Sequence, residues 1–325
     1  MAETANIAKM AEMLSRDVFS RFLWESVGGW NQNWPCLKSE EHKHTSHPSD
    51  AVFFYDEPYS VRRTYINCDL KSYARNSITL GAVLSAMQSL ALTLSCAEIS
   101  DEWRKKYMHE GKTPDVVGLL FIYNHDGEYD KDFDKILSSL KHEKLDLPKG
   151  SRIFILGPRD IQWLDNVRYE VTHMRGVGEL PAENACQYYY PELVRKKNVQ
   201  PALARAATLE MLTGPWIVLQ YAKAGQHKAG YVVFYKRRGE TAEEFLYLID
   251  YLTHFQRINT EVDIKVRTLD PDPNAAANFD RAVSEYIETY EGGEEIAHLL
   301  KAIQYQRINT IHTSFSDTDV GMIHG

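Results

Sequence analysis

Along the opening of the chain, apolar side chains recur every three or four positions at Ile7, Met10, Leu14, Val18 and Phe22. That period predicts a helix over 4–27, stopped by Gly28 and Gly29. Glu25 falls eleven residues after Leu14, about three turns at 3.6 residues each, so a carboxylate is expected on the core-facing stripe. The stretch 30–49 is polar, rich in histidine and punctuated by Pro35 and Pro48, and reads as an ordered loop. AVFFYD (51–56) and RTYINCDLKSY (63–73) then read as two adjacent strands joined by a turn. On the second, Ile66, Cys68 and Leu70 take one face, and Tyr65, Asn67, Asp69 and Lys71 the other. Leu80, Val83, Leu84, Met87, Ala91 and Leu94 predict a helix capped at Asn76 or Ser77, with Gln88 at the edge of the stripe. The apolar run VVGLLFIY (116–123) has the length of a central buried strand, reached by a helical crossover.

Strands and helices keep alternating through YDKDFDKILSSLKH (129–142) and RIFILG (152–157). The pattern weakens over 179–201, where Pro181, Pro191 and Pro201 separate YYY from RKK; this places a domain boundary between 1–180 and 181–325. Beyond it, PWIVLQYAK and GYVVFYKRR flank AGQH as a hairpin. EEFLYLIDYLTHF reads as helix, EVDIKVRTL as strand and NFDRAVSEYIETY as helix, giving a smaller α+β unit. QRINT occurs at 256–260 and 306–310, but the flanking periods do not match and no structural repeat is read from it. The last dozen residues read as a mobile tail.

The 325 residues carry 37 Lys plus Arg against 45 Asp plus Glu, a formal charge of -8. With 44% apolar and 25% charged residues, wholesale disorder, collagen-like repeats and a disulfide scaffold are excluded. No run reaches the ~18 uninterrupted apolar residues of a membrane span and the opening lacks a signal core, so a cytoplasmic protein without a membrane partner is expected. Cys36, Cys68, Cys96 and Cys186 show no zinc-type spacing and read as reduced thiols. His42, His44 and His47 therefore read as a polar loop beside a charged site rather than as metal ligands. The acidic total argues against a general nucleic-acid coat. Arg104–Lys106, Arg195–Lys197 and Lys236–Arg238 are solvated faces, or a groove if they converge beside the acids. Tyr188, Tyr189 and Tyr190 stack bases or fill a core.

In HPSDAVFFYDEPYSVRRTYINCDLKSY, Asp50 stands two residues after Pro48 at the start of one strand, and Asp69-Leu70-Lys71 lies on the next. This arrangement resembles the signature of the PD-(D/E)XK nuclease superfamily. The order of helix, strand, strand, helix and strand is similar to its αβββαβ core, with one strand not visible in 29–48. The resemblance implies a restriction-endonuclease-like mixed sheet flanked by helices, and a metal-dependent nuclease hydrolysing phosphodiester bonds of DNA. It also resembles nuclease subunits of bacterial antiphage defence systems; because a toxic nuclease in a cell needs restraint, a partner subunit or a homo-oligomer that gates the activity is expected. Asp50, Asp69 and the Leu70 carbonyl are then expected to hold Mg²⁺ or Mn²⁺. Lys71 orients or helps activate the attacking water, and Glu25 completes the site. Gln88 is carried over from families with a glutamine on the following helix, and Arg75 is expected as a phosphate contact at the helix N-terminus. Bland readings stand beside these: Asp69 and Lys71 as an ordinary ion pair, Glu25 as a partner of Arg21, and Asp56 or Glu57 replacing Asp50 under a shifted register. The alternative function is a non-catalytic interaction subunit on the same fold.

Overall fold

The computed structural model describes residues 2–141, 143–145, 147–191, 205–289 and 293–308; Arg195–Lys197 and the last dozen residues lie outside them. The chain forms two compact units, 1–164 and 165–311. In order, the first contains α1 (Ala2–Arg21), β1 (Glu25–Ser26), β2 (Gln32–Pro35), α2 (Ser39–His42), β3 (Ser46–Ser49), β4 (Ala51–Asp56) and β5 (Arg62–Tyr73). There follow α3 (Leu80–Ala97), α4 (Asp101–Tyr107), β6 (Thr113–Asn124), α5 (Phe133–Leu140), β7 (Ile153–Leu156) and the start of α6 (Pro158–Gly176). Five strands form one sheet in the order β1-β4-β5-β6-β7. β1, β4 and β5 run antiparallel, and β5, β6 and β7 parallel.

α1 ends at Arg21, earlier than its apolar period predicts. Leu23 adopts the left-handed conformation (φ 64°), Leu23 N–H donates to the Ser20 carbonyl (3.0 Å) and Trp24 N–H to that of Phe19 (3.1 Å). This paired closure terminates a helix without glycine, so Gly28 and Gly29 are not its stop. The loop expected over 30–49 contains the missing strand signal: β2 and β3 pair as an antiparallel hairpin, Gln32 opposite Ser49. Their alternation is hard to read because Trp34, His47 and Ser49 are the buried positions and two of those three are polar.

α1 and α3 cover opposite faces of the sheet. Phe19 of α1 packs edge-on against Phe53 (5.2 Å) and Phe121 (5.8 Å). α3 buries Val83, Met87, Leu90 and Leu94 against Val52, Phe54, Tyr65, Leu120 and Ile122. Gly118 permits this closeness, since a Cβ there would stand 2.8 Å from Leu94 Cδ1. α3 is apolar and long enough to cross a membrane by composition alone, with 50% of it buried inside the structure.

The second unit holds the rest of α6, β8 (Cys186–Tyr188), α7 (Leu209–Thr213), β9 (Trp216–Tyr221), β10 (Ala229–Tyr235), α8 (Ala242–His254), β11 (Val262–Thr268), α9 (Ala275–Thr289), α10 (Glu294–Lys301) and β12 (Gln304–Arg307). Its sheet has the order β8-β9-β10-β11-β12, with β8, β9 and β10 antiparallel and β10, β11 and β12 parallel. Strand order and direction thus repeat those of the first sheet. The division at 164/165 precedes the 180/181 boundary expected from the sequence, because the later part of α6 is tied to the second sheet. Arg267 of β11, 2% exposed, pairs with Glu170 (3.2 Å) and Glu179 (2.7 Å). α6 gave no amphipathic signal because Asp165, Asn166 and Glu170 are buried along with Leu164, Val167 and Val171. Tyr188 and Tyr189 are buried in this unit and the Tyr190 hydroxyl donates to the Ala206 carbonyl (2.7 Å), a core use rather than a stacking platform.

Candidate active site

β5 outruns its neighbour. β4 pairs with it from Asp56 opposite Arg63 to Ala51 opposite Cys68, and residues 69–73 continue beyond that end. Asp50 sits at the step and its Oδ2 accepts a hydrogen bond from Leu70 N–H (2.8 Å). In a strand the N–H and C=O of one residue point to the same side, so the Leu70 carbonyl also faces the edge where Asp50 lies. Asp69 and Lys71 share one face of β5, the face that continues Tyr65 and Asn67 toward α3, and Lys71 Nζ lies 2.5 Å from Asp69 Oδ1. Asp50 and Asp69 are close enough to share a hydrogen bond.

The electrostatics follow from this crowding. Burial, then the negative charge of Asp69, pushes the Asp50 carboxyl up to about 6, against the opposing pull of Leu70 N–H and Lys71. For Lys71, burial acts downward, but Asp69 and Asp50 outweigh it and hold the ammonium above its usual range. Two half-buried carboxylates beside one backbone carbonyl form an oxygen-only donor set suited to a hard divalent cation, whose charge offsets their repulsion.

Beneath the site, Ser49 Oγ donates to Asn67 Oδ1 (2.5 Å), and the Trp34 and Trp103 indoles donate to Ser49 Oγ (3.0 and 3.3 Å). Ser49 immediately precedes Asp50 and Asn67 stands two residues before Asp69. The buried network therefore fixes the two aspartates relative to each other.

The remaining sequence candidates stand elsewhere. Glu25 is exposed on β1, opposite Phe54 and not on a helix, about 13 Å along the sheet from Asp50 at ~3.3 Å per residue. Its placement on the buried stripe fails because α1 has already ended. Gln88 is exposed on α3, between the buried Met87 and Leu90. Arg75 lies beyond the end of β5 with Nη2 2.7 Å from Asp130 Oδ2, while α3 starts later under a Thr79 cap, so Arg75 is not at its N-terminus. Asp56 pairs with Arg63 (2.7 Å) and Lys112 (2.6 Å), and Glu57 accepts from Thr64; both occupy the far end of the strand pair and neither replaces Asp50. Arg104 lines a cleft of about 500 Å³ with Arg62, Lys149 and Arg152, at the end of the strands away from Asp69.

One carboxylate escaped the sequence reading. Glu12 of α1 accepts a hydrogen bond from Asn31 Nδ2, and Asn31 N–H donates to the Asp50 carbonyl (2.9 Å). A single residue therefore links the helix carboxylate to the backbone of Asp50. Its signal was its position beside Ala11 and Leu14, the polar edge of the buried stripe.

A mixed sheet with helices on both faces and an aspartate, an aspartate and a lysine at one strand step defines a domain of the PD-(D/E)XK nuclease class. Residues 1–160 match the family described as the GAPS4 protein PD-(D/E)XK nuclease domain. No curated protein matches the chain.

Proposed function

We propose that the first unit is a divalent-cation-dependent nuclease that hydrolyses phosphodiester bonds of DNA, and that it serves in antiphage defence together with a partner subunit or further copies of itself. The observation that carries this reading is the convergence of Asp50, Asp69 and Lys71 at the end of β4. Asp50, Asp69 and the Leu70 carbonyl would hold the cation, Mg²⁺ or Mn²⁺, which when bound acidifies water and offsets phosphate charge. Lys71 stays protonated beside two carboxylates, so it orients the nucleophile and stabilises developing charge rather than removing a proton. Glu12, held by Asn31, takes the helix-borne role that Glu25 does not reach. The family match supports the reading, its name describing a nuclease domain.

The test is cleavage of linear, circular and single-stranded DNA with Mg²⁺, Mn²⁺ or neither. Cation-dependent products that disappear in Asp69→Asn and Lys71→Ala are expected. Cleavage persisting in Asp69→Asn, or wild-type protein inert toward every nucleic acid with either ion, overturns the proposal. In the second outcome, an interaction subunit on a nuclease fold becomes the better account.

A further inference from the structure

A second cluster of ligating atoms lies away from the aspartates. Cys36 follows β2, His42 ends α2, His47 is in β3 and Cys96 is near the end of α3; all four are buried. Their donor atoms all lie within 4.8 Å of one another. Cys36 Sγ stands 3.8 Å from Cys96 Sγ and 3.4 Å from His42 Nδ1. His42 Nδ1 stands 3.6 Å from Cys96 Sγ and 3.4 Å from His47 Nε2. His44, expected with the other two histidines on a polar loop, is exposed, whereas His42 and His47 are not. The expectation of a polar loop is thereby corrected for His42 and His47, which are buried beside two cysteines that no local spacing pairs with them.

We propose that Cys36, His42, His47 and Cys96 bind one zinc ion as a tetrahedral structural site. Zn–S and Zn–N bonds of about 2.3 and 2.0–2.1 Å at tetrahedral angles require edges of about 3.8 Å for S···S, 3.6 Å for S···N and 3.3 Å for N···N. The four edges given above fall within a few tenths of these values, and the two from His47 to the sulfurs are at most 4.8 Å. A disulfide does not explain the pair, since 3.8 Å is far beyond the ~2.05 Å S–S bond. The outer shell fits as well. The unused nitrogen of His42, Nε2, meets Ser95 Oγ (3.3 Å), and that of His47, Nδ1, meets Thr93 Oγ1 (3.4 Å). Each ligand ring is thus oriented by a hydroxyl from α3, as metal-bound imidazoles require. Two thiolates neutralise the ion's charge, which makes the full set tolerable in a dry interior. The ion would staple the β2–β3 hairpin to α3, and His47 is three residues from Asp50.

The test uses the full chain expressed with zinc in the medium. Elemental analysis is expected to give about one zinc per chain, and X-ray absorption a shell of two sulfurs and two nitrogens. Co²⁺ exchange should give the intense visible bands of a tetrahedral thiolate site. Asp50→Asn/Asp69→Asn should retain the zinc, separating this site from the carboxylates, whereas Cys96→Ser and His47→Ala should reduce it about tenfold. Zinc at less than about a tenth per chain, an oxygen and nitrogen shell without sulfur, or undiminished zinc in soluble Cys96→Ser overturns the proposal. Should the variants precipitate, the absorption and Co²⁺ spectra of the unaltered chain decide between the outcomes.

Discussion

The two sheets share strand order and strand direction but differ at one place. In the first, stepping back from Ala51 opposite Cys68 puts Asp50 against Asp69, with Lys71 two residues on. In the second, the same step from Trp216 opposite Tyr235 puts Pro215 against Lys236, whose N–H donates to the Pro215 carbonyl (2.9 Å), with Arg238 two residues on. The position that gathers acids in one sheet gathers bases in the other. A fold of this kind supplies a strand step; the side chains placed there decide whether it can hold a cation. The second sheet instead uses its ionic groups internally, with Arg267 buried between Glu170 and Glu179.

Substitutions at matched positions sharpen this contrast. Asp69→Asn is expected to lower Mg²⁺-dependent DNA cleavage by on the order of 10³-fold, while Lys236→Ala leaves the rate within roughly twofold. Comparable losses from both, measured by initial rates, would mean that the second sheet takes part in the chemistry. Next in size, Arg267→Leu removes the ion pair of the buried Glu170, while Glu179 keeps Lys265 (3.5 Å), and should destabilise the second unit by about 3 kcal/mol in urea unfolding followed through its tryptophan, Trp216.

Asp50→Asn should do the reverse in metal-free protein. The Asp50 carboxyl is raised from 3.8 to about 6, so the stability it gains from holding a proton is fully present below about pH 4 and lost as pH rises through 6. The asparagine variant, always neutral, should therefore exceed the parent by about 1–2 kcal/mol at pH 8 and converge with it near pH 4. Equal stability at pH 8 would show that burial and the charge of Asp69 do not raise the Asp50 carboxyl. Smallest of all, Glu25→Gln should change stability by under ~0.5 kcal/mol and leave cleavage unaltered, whereas Glu12→Gln should reduce cleavage.

Much of the first unit was legible because its core strands bury both faces. β4, β5, β6 and α3 lie where the apolar runs put them, and Asp50, Asp69 and Lys71 came out near one another once the two strands were paired. Glu25 was misplaced because a left-handed leucine, not a glycine, ends α1. The Cys36, His42, His47 and Cys96 cluster was hidden since its last member lies on a distant helix, and no local spacing announces a contact made by tertiary packing. The likeness of the two sheets was invisible for a related reason: strand order is carried by connections and register, and QRINT, the one repeated string, marks no equivalent positions.

The overhang of β5 has a consequence for solubility. Among the described residues, no strand pairs with that edge past Cys68, where Asp50 covers Leu70 N–H, so the rest of the edge over 69–73 can meet an extended segment. Asp69 and Lys71 act as gatekeepers on it, making strand addition electrostatically unfavourable. Removing both charges at once should therefore promote concentration-dependent self-association, visible as light scattering, through an edge that the folded chain otherwise keeps to itself.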